Sequence, residues 1–223
     1  MTGMGSPVIV PVMTLGNCVF FPQQLLPLRI FEPRYRKMLQ EVLAGDRLFA
    51  VSQLDEEQVN AQNPEPPCAI TCIGRIQSHV ENADGTSHLI LEGLRRARVV
   101  RVERTTPFPR LEIKPAIEEA LAEPMSATRE IARILSLSEK MLSPFGEDAV
   151  LLLQRLQSLA NQPGALTDAV AASFVERVAL RRQLLECLSP EKRLGLVAEE
   201  LTQIYAMSRI EGQNGLDGKI GLN

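Results

Sequence analysis

Pro27-Leu28-Arg29-Ile30-Phe31-Glu32-Pro33-Arg34-Tyr35-Arg36-Lys37-Met38-Leu39 is the stretch on which the fold turns. It reads as an apolar strand that enters a helix through Glu-Pro. Pro33 suits the first helical position, where its missing N–H costs nothing. Glu32 sets a carboxylate beside the positive end of that helix. Tyr35, Met38, Leu39 and Val42 then recur at helical spacing, and Gly45 is a natural C-cap. Working outward, Val8 to Val12 is a β-branched run. Val19-Phe20-Phe21 and Gln24 to Phe31 are further apolar stretches, punctuated by Pro22 and Pro27, residues that sheets admit only at edges. Leu48 to Leu54 predicts a strand. Ala69 to Val80 and His88 to Leu94 flank Asp84-Gly85, which predicts a hairpin with a tight type I′ turn over Ala83 to Thr86. Ala97 to Val102 and Arg110 to Lys114 add two short strands. Many short strands with one helix and several prolines point to a partly closed barrel over residues 1–115.

Beyond Lys114 the periodicity changes. Pro115 and Pro124 bracket an acidic, Ala-rich connector. Ile131, Ile134, Leu135, Met141 and Leu142 then mark a helical stripe, broken by Ser143-Pro144-Phe145-Gly146. Val150, Leu153, Leu156 and Leu159 mark a second helix, and Asn161 to Gly164 a turn. Thr167 is placed to cap a short helix through Val170 and Phe174. Val178 to Leu188 continues the helical pattern. Ser189-Pro190 starts a last helix carrying Leu194, Val197, Leu201, Ile204 and Tyr205. The expected organisation is a β-barrel domain over 1–115, a helical domain over 116–210 and a flexible Gly-rich tail over 211–223, an α+β chain overall.

The 223 residues are 45% hydrophobic and 23% charged, an ordinary globular composition with a net charge of −3. That charge argues against a strongly basic nucleic-acid binder. Residues 1–115 carry 13 basic and 12 acidic side chains, and the remainder 11 and 15. Four cysteines (Cys18, Cys68, Cys72 and Cys187) are too sparse for a disulfide framework. No signal-peptide pattern opens the chain and no stretch reaches membrane-spanning length, so a cytoplasmic protein with reduced thiols is expected. Catalytic motifs are missing. The stretch Gly212 to Lys219 lacks phosphate-loop spacing and its Ser/Thr, and no Gly-x-Ser-x-Gly elbow occurs. In the two-residue-turn register His88 faces Glu81, and His79 shares its face. Cys68 and Cys72 lie too far along the chain to complete a metal site with them. No metal, cofactor or catalytic residue is expected. The arginines at 95, 96, 98, 101 and 104 are interleaved with Glu92, Glu103 and Glu112 and lack an aromatic platform, so they read as a solvated strand face.

The order of these blocks resembles the N-terminal substrate-binding domain of the Lon protease family. Val12 to Pro22 is similar to that family's opening "FP" run, ending here in Val19-Phe20-Phe21-Pro22. Pro27 to Leu39 follows its "PL-x-IFEPRY-x-x-ML" block, and Gly45-Asp46-Arg47-Leu48-Phe49 its "GD-x-x-F" block. Gly74-Arg75-Ile76 and Leu91-Glu92-Gly93-Leu94-Arg95-Arg96-Ala97-Arg98 match two later strands. Leu166 to Ala171, Gln183 to Glu186 and Arg193-Leu194 extend the similarity into the helical part, so that it covers roughly residues 8 to 207. The resemblance implies a PUA-like β pseudo-barrel followed by a helical bundle. It implies substrate recognition without catalysis, since the family's ATPase and Ser–Lys peptidase lie downstream. With Asn223 as its end, the chain is expected to be a stand-alone member. The expected function is binding of unfolded or damaged proteins or peptides through exposed hydrophobic segments, with an ATPase or protease in trans as a further candidate partner. The candidate surface is whichever of Phe20, Phe21, Leu25, Leu26, Ile30 and Phe31 stays exposed. RNA binding by a PUA-like barrel is the alternative, and rests on fold analogy alone.

Overall fold

The computed structural model of the chain describes residues 7–103, 107–122 and 124–213. Among the described residues six strands form: β1 (Val8–Leu15), β2 (Leu25–Ile30), β3 (Leu48–Gln53), β4 (Ile70–Glu81), β5 (Ser87–Glu103) and β6 (Arg110–Pro115). They build one sheet in the order β2-β5-β4-β3-β1-β6, and β6 also pairs with β5. Strands β5, β4, β3, β1 and β6 therefore close in a ring of pairings. β2 lies on the edge, where Pro27 removes no ladder hydrogen bond that the sheet needs. The expected strand at Val19-Phe20-Phe21 is instead a buried loop.

The two strands expected over 88–94 and 97–102 are one. β5 runs for 17 residues and changes partners along its length. Ser87 to Glu92 lie between β2 and β4, and Ala97 to Glu103 pair with β6. Register shifts at Ile73/Gly74, Ile76/Ser78 and Val99/Arg101 give it the bends that closure requires. Gly93 is held to glycine by a close approach rather than by a turn. A Cβ there would sit 2.1 Å from the Phe21 carbonyl oxygen, and the Gly93 N–H donates to the Gln24 carbonyl at 2.9 Å. Gly93→Ala should cost about 1–3 kcal/mol of unfolding free energy, as overpacking does. Urea denaturation checks this, and an unchanged midpoint would remove the close-approach argument.

Two apolar layers hold this part together. Val10, Val12, Ala50, Ile73, Ala97, Leu111 and Ile113 pack together inside the ring. Phe20, Ile30, Phe49, Cys72, Leu89 and Leu91 pack on the opposite side, under helix α1 (Pro33–Ala44) and its Tyr35, Met38, Leu39 and Val42. Alternate residues of one strand feed the two layers, as at Phe49, Ala50 and Val51 of β3. Pro33 does open α1 after Glu32. Gly45 sits at the C-cap, but the left-handed residue there is Arg47, at φ 64°, whose N–H donates to Val42 at 3.0 Å.

The helical part contains α2 (Pro124–Leu142), α3 (Val150–Ser158), α4 (Pro163–Phe174) and α6 (Pro190–Gln213). Gly146, at φ 57°, breaks the path between α2 and α3. α4 begins at Pro163, one turn before the expected cap. Thr167 lies inside it and donates its hydroxyl to the Pro163 and Gly164 carbonyls. α6 extends to Gln213, into the segment expected as a tail; residues 214–223 of that tail lie outside the described residues. Ile134, Leu156, Leu166, Val170, Leu194, Val197 and Leu201 are fully buried. Among them the Arg193 Nη1 meets Asp168 Oδ1 at 2.6 Å, both side chains shielded from solvent.

The chain divides into two compact units, residues 1–118 with 176–188, and 119–175 with 189–223. Helix α5 (Val178–Glu186) thus belongs with the strands, and the helical domain is not the unbroken 116–210 expected. Three arginines account for this. Arg96 of β5 donates from Nε to the Leu185 carbonyl at 2.9 Å and from Nη2 to Leu184 at 3.3 Å, capping the C-terminal carbonyls of α5. Arg182 pairs with the buried Asp55 at 3.2 Å. Arg181 donates to the Val19 carbonyl at 3.0 Å and lies 5.3 Å over the Phe21 ring. No helix among the described residues is long and apolar enough to cross a membrane.

Candidate functional site

The six candidate residues part company in the structure. Phe20, Phe21 and Ile30 are core residues, at most 1% exposed, and so present no surface to a ligand, contrary to expectation. Phe20 fills the space over Gly74, and Phe21 is sealed under Arg181. Leu26 is half-buried against the α1 layer. Leu25 and Phe31 remain exposed, at 56% and 59%. The period-2 pattern of β2 explains the split: Leu25, Pro27 and Arg29 face out, while Leu26, Leu28 and Ile30 face the core.

β2 does not carry this face alone. Pro27 lies opposite Ile90 of β5, which lies opposite Ser78 of β4. Arg29 lies opposite His88, which lies opposite Val80. Directly opposed residues share a face. Leu25, Pro27, Ile90 and the 63%-exposed Val80 therefore form an outward apolar strip, with Phe31 just past the end of β2. Arg29 and Arg75 border the strip, Arg29 within the field of Asp84 and Arg75 opposite Glu92. The sequence pattern does not single out Val80, because a two-residue turn would set it opposite Leu89; Ile90 is placed by the pairing with β2.

The β4–β5 turn is the cause. Asn82 N–H donates to Thr86 at 2.8 Å and Gly85 N–H to Asn82 at 2.9 Å, so three residues, Ala83, Asp84 and Gly85, form the loop. Gly85 takes φ 75°, the left-handed third position of a three-residue hairpin rather than part of a type I′ pair. His88 consequently faces Val80 instead of Glu81. His79 turns toward Leu89 and bonds Ser87 Oγ at 3.1 Å, so the two histidines lie on opposite faces. Two hydrogen bonds from Thr86 hold the Asp84 carboxyl below its ordinary pKa.

The arginine row is not one solvated face. Arg96 is 4% exposed and engages Glu118 at 3.1 Å besides the α5 carbonyls. Arg101 pairs with Glu103 and Glu112. Arg95 and Arg98 are exposed, and Arg104 lies outside the described residues. In the strand-to-helix corner, Arg34 bridges Glu32 at 2.9 Å and grips Glu65 with two nitrogens at 2.6 and 2.8 Å. This fork anchors the 54–67 loop on the start of α1.

The cysteines are free. Burial pushes the Cys68 thiol up to about 11, against the opposing field of Arg182. At pH 8 only about one molecule in a thousand carries that thiolate, and the thiolate is the reactive form. Cys68 should remain unlabelled by iodoacetamide under conditions that alkylate the half-exposed Cys187. Peptide mass spectrometry checks this, and equal labelling would contradict the burial of Cys68.

Comparison with known proteins places this arrangement. The model of the ATP-dependent protease La (LON) substrate-binding domain matches residues 9–203. The Lon protease of Dictyoglomus thermophilum is 25% identical over 200 residues, covering 88% of this chain and 24% of the relative. That of Syntrophus aciditrophicus is 25% identical over 221 residues, covering 93% and 27%. The chain thus spans about a quarter of the length of the curated relatives it matches. The N-terminal domain of Mycobacterium avium complex Lon protease superposes with a TM-score of 0.69 at 19% identity, covering 87% of this chain and 98% of that one. A Lon N-terminal domain protein from Xanthomonas campestris gives 0.57 at 21%, covering 89% and 98%. These similarities fall on the non-catalytic, substrate-binding region of Lon and not on its ATPase or peptidase. From its matched residues, its mixed sheet-and-helix fold and its strand-to-helix corner, the chain belongs to the family of Lon substrate-binding domains.

Proposed function

We propose that the protein binds exposed apolar segments of unfolded or damaged proteins on the outward strip of β2, β5 and β4. The observation that carries this is the alignment of Leu25, Pro27, Ile90 and Val80 on one face, with Phe31 beside it, in a family of substrate-binding domains. Large side chains left in water over three adjacent strands cost solubility, and contiguous apolar surface marks contact sites. Arg29 and Arg75 at its border suit segments that combine apolar with acidic side chains. The closed ring of five pairings supports reading the strands as a PUA-like pseudo-barrel. The free cysteines suit a reducing, cytoplasmic setting. An ATPase or protease acting in trans would be the natural recipient of bound clients.

Leu25→Asp and Phe31→Asp test the strip. Each should leave stability within about 0.5 kcal/mol, as exposed sites do. Together they should weaken binding of a permanently unfolded model protein by at least about tenfold, or 1.4 kcal/mol. Anisotropy titration measures the binding. Unchanged affinity in the folded double variant would refute the strip as the binding face.

A further inference from the structure

A pair of cations lies at the β5–β6 pairing, away from the strip of β2, β5 and β4. Arg98 of β5 lies directly opposite Lys114 of β6. Neither has an ion-pair or hydrogen-bond partner among the described residues. Like charges directly opposite on a sheet destabilise it. The neighbouring carboxylates that could relieve the pair are committed elsewhere: Glu112 and Glu103 to Arg101, and Glu118 to Arg96. Two unpaired cations whose Cβ atoms are about 5 Å apart can grip one carboxylate from both sides. Exposed apolar side chains follow within three residues of each, Val100 at 47% in β5 and Ile117 at 75% just past the end of β6.

We infer that Arg98 and Lys114 form a binding site for an acidic side chain on a peptide segment that also carries apolar residues. The surroundings favour a peptide over a nucleic acid. Glu103 and Glu112 already hold Arg101 and Glu118 holds Arg96, so the two remaining cations are too few and too close together to track a strand bearing one phosphate every few ångströms, whereas a single carboxylate can sit between them. No aromatic side chain lies next to Arg98 or Lys114 in β5 or β6 to stack a base. The fold thus retains a repulsive pair that a carboxylate-bearing partner would neutralise, the pattern expected where a binding role opposes stability.

Lys114→Glu separates these effects because it converts the repulsive pair into an attractive one. Its melting temperature should equal or exceed that of the parent protein. Its affinity for a labelled peptide of alternating Asp and Leu should fall on the order of tenfold. Arg98→Gln should weaken the same peptide without gaining binding elsewhere. An Asn-Leu peptide should bind the parent protein no better than it binds Lys114→Glu, and 0.5 M salt should remove most of the Asp-Leu preference. Equal affinity of parent and variants for the Asp-Leu peptide would overturn the site. A melting temperature lowered in Lys114→Glu would overturn the claim that the pair is repulsive. Tighter binding of single-stranded RNA than of the Asp-Leu peptide, lost in Lys114→Glu, would overturn the choice of partner. Loss of unfolded-protein binding in the Leu25 and Phe31 variants bears on the strip of β2, β5 and β4 alone.

Discussion

Replacing Asp168 by alanine should lower the unfolding free energy by about 3–5 kcal/mol, the largest single loss expected in the helical part. The cause is less the missing attraction than a buried guanidinium that loses its 2.6 Å acceptor. Arg193 is completely buried, and its guanidinium meets Asp168 at 2.6 Å. An arginine does not shed its proton to escape burial. Asp168→Asn, which keeps an acceptor oxygen on the same stem, should cost less. The double variant Asp168→Leu with Arg193→Met should recover most of the loss, since well-packed apolar residues can replace a buried ion pair at little cost. Urea denaturation of the four proteins gives the comparison. A double variant as unstable as Asp168→Ala would mean that the pair itself, and not the burial of an under-compensated charge, holds α4 to α6.

Arg96→Leu is expected to be the second large effect, at about 3 kcal/mol, because charge-assisted hydrogen bonds to buried carbonyls are among the stronger ones. It removes the donors from Leu184 and Leu185, where α5 has no further turn to satisfy them. The local signature should be sharper than the global one. Amide exchange should quicken over Val178–Glu186, and trypsin should reach Arg177, Arg181 and Arg182 earlier. Arg96→Lys should fall between, since an ammonium cannot span two carbonyls and Glu118 as a planar fork does. Exchange over α5 as slow as in the parent would show that Arg181 and Arg182 suffice to hold the helix.

Arg96 also shows why some of the fold was not legible. In the sequence it is one of five arginines among glutamates, indistinguishable from a solvated face. Its partner at Leu185 lies 89 residues away, and no local pattern encodes that contact. The same distance conceals the membership of α5, whose periodicity is that of any bundle helix. The strand-to-helix corner was legible because each of its signals acts within one turn: Pro33 at the first position, Glu32 before it, and the apolar spacing of Tyr35, Met38, Leu39 and Val42. The candidate face was legible only in half. Alternation along β2 separates Leu25 from Leu26, but which side is outward depends on what covers the sheet.

The sequence by itself determined the division into a strand-rich and a helix-rich part, the corner that joins β2 to α1 and the family. Those follow from short-range periodicity, turn residues and a characteristic order of blocks. Tertiary structure alone decided the register of β4 against β5. One extra residue in the turn, Ala83-Asp84-Gly85 instead of Asp84-Gly85, moves Val80 from opposite Leu89 to opposite His88. Because side chains alternate with a period of two, that single step carries Val80 into water beside Ile90 and sends His79 toward the core. Val80 joins the outward apolar strip of Leu25, Pro27 and Ile90 for that reason, and only the packed sheet could reveal it.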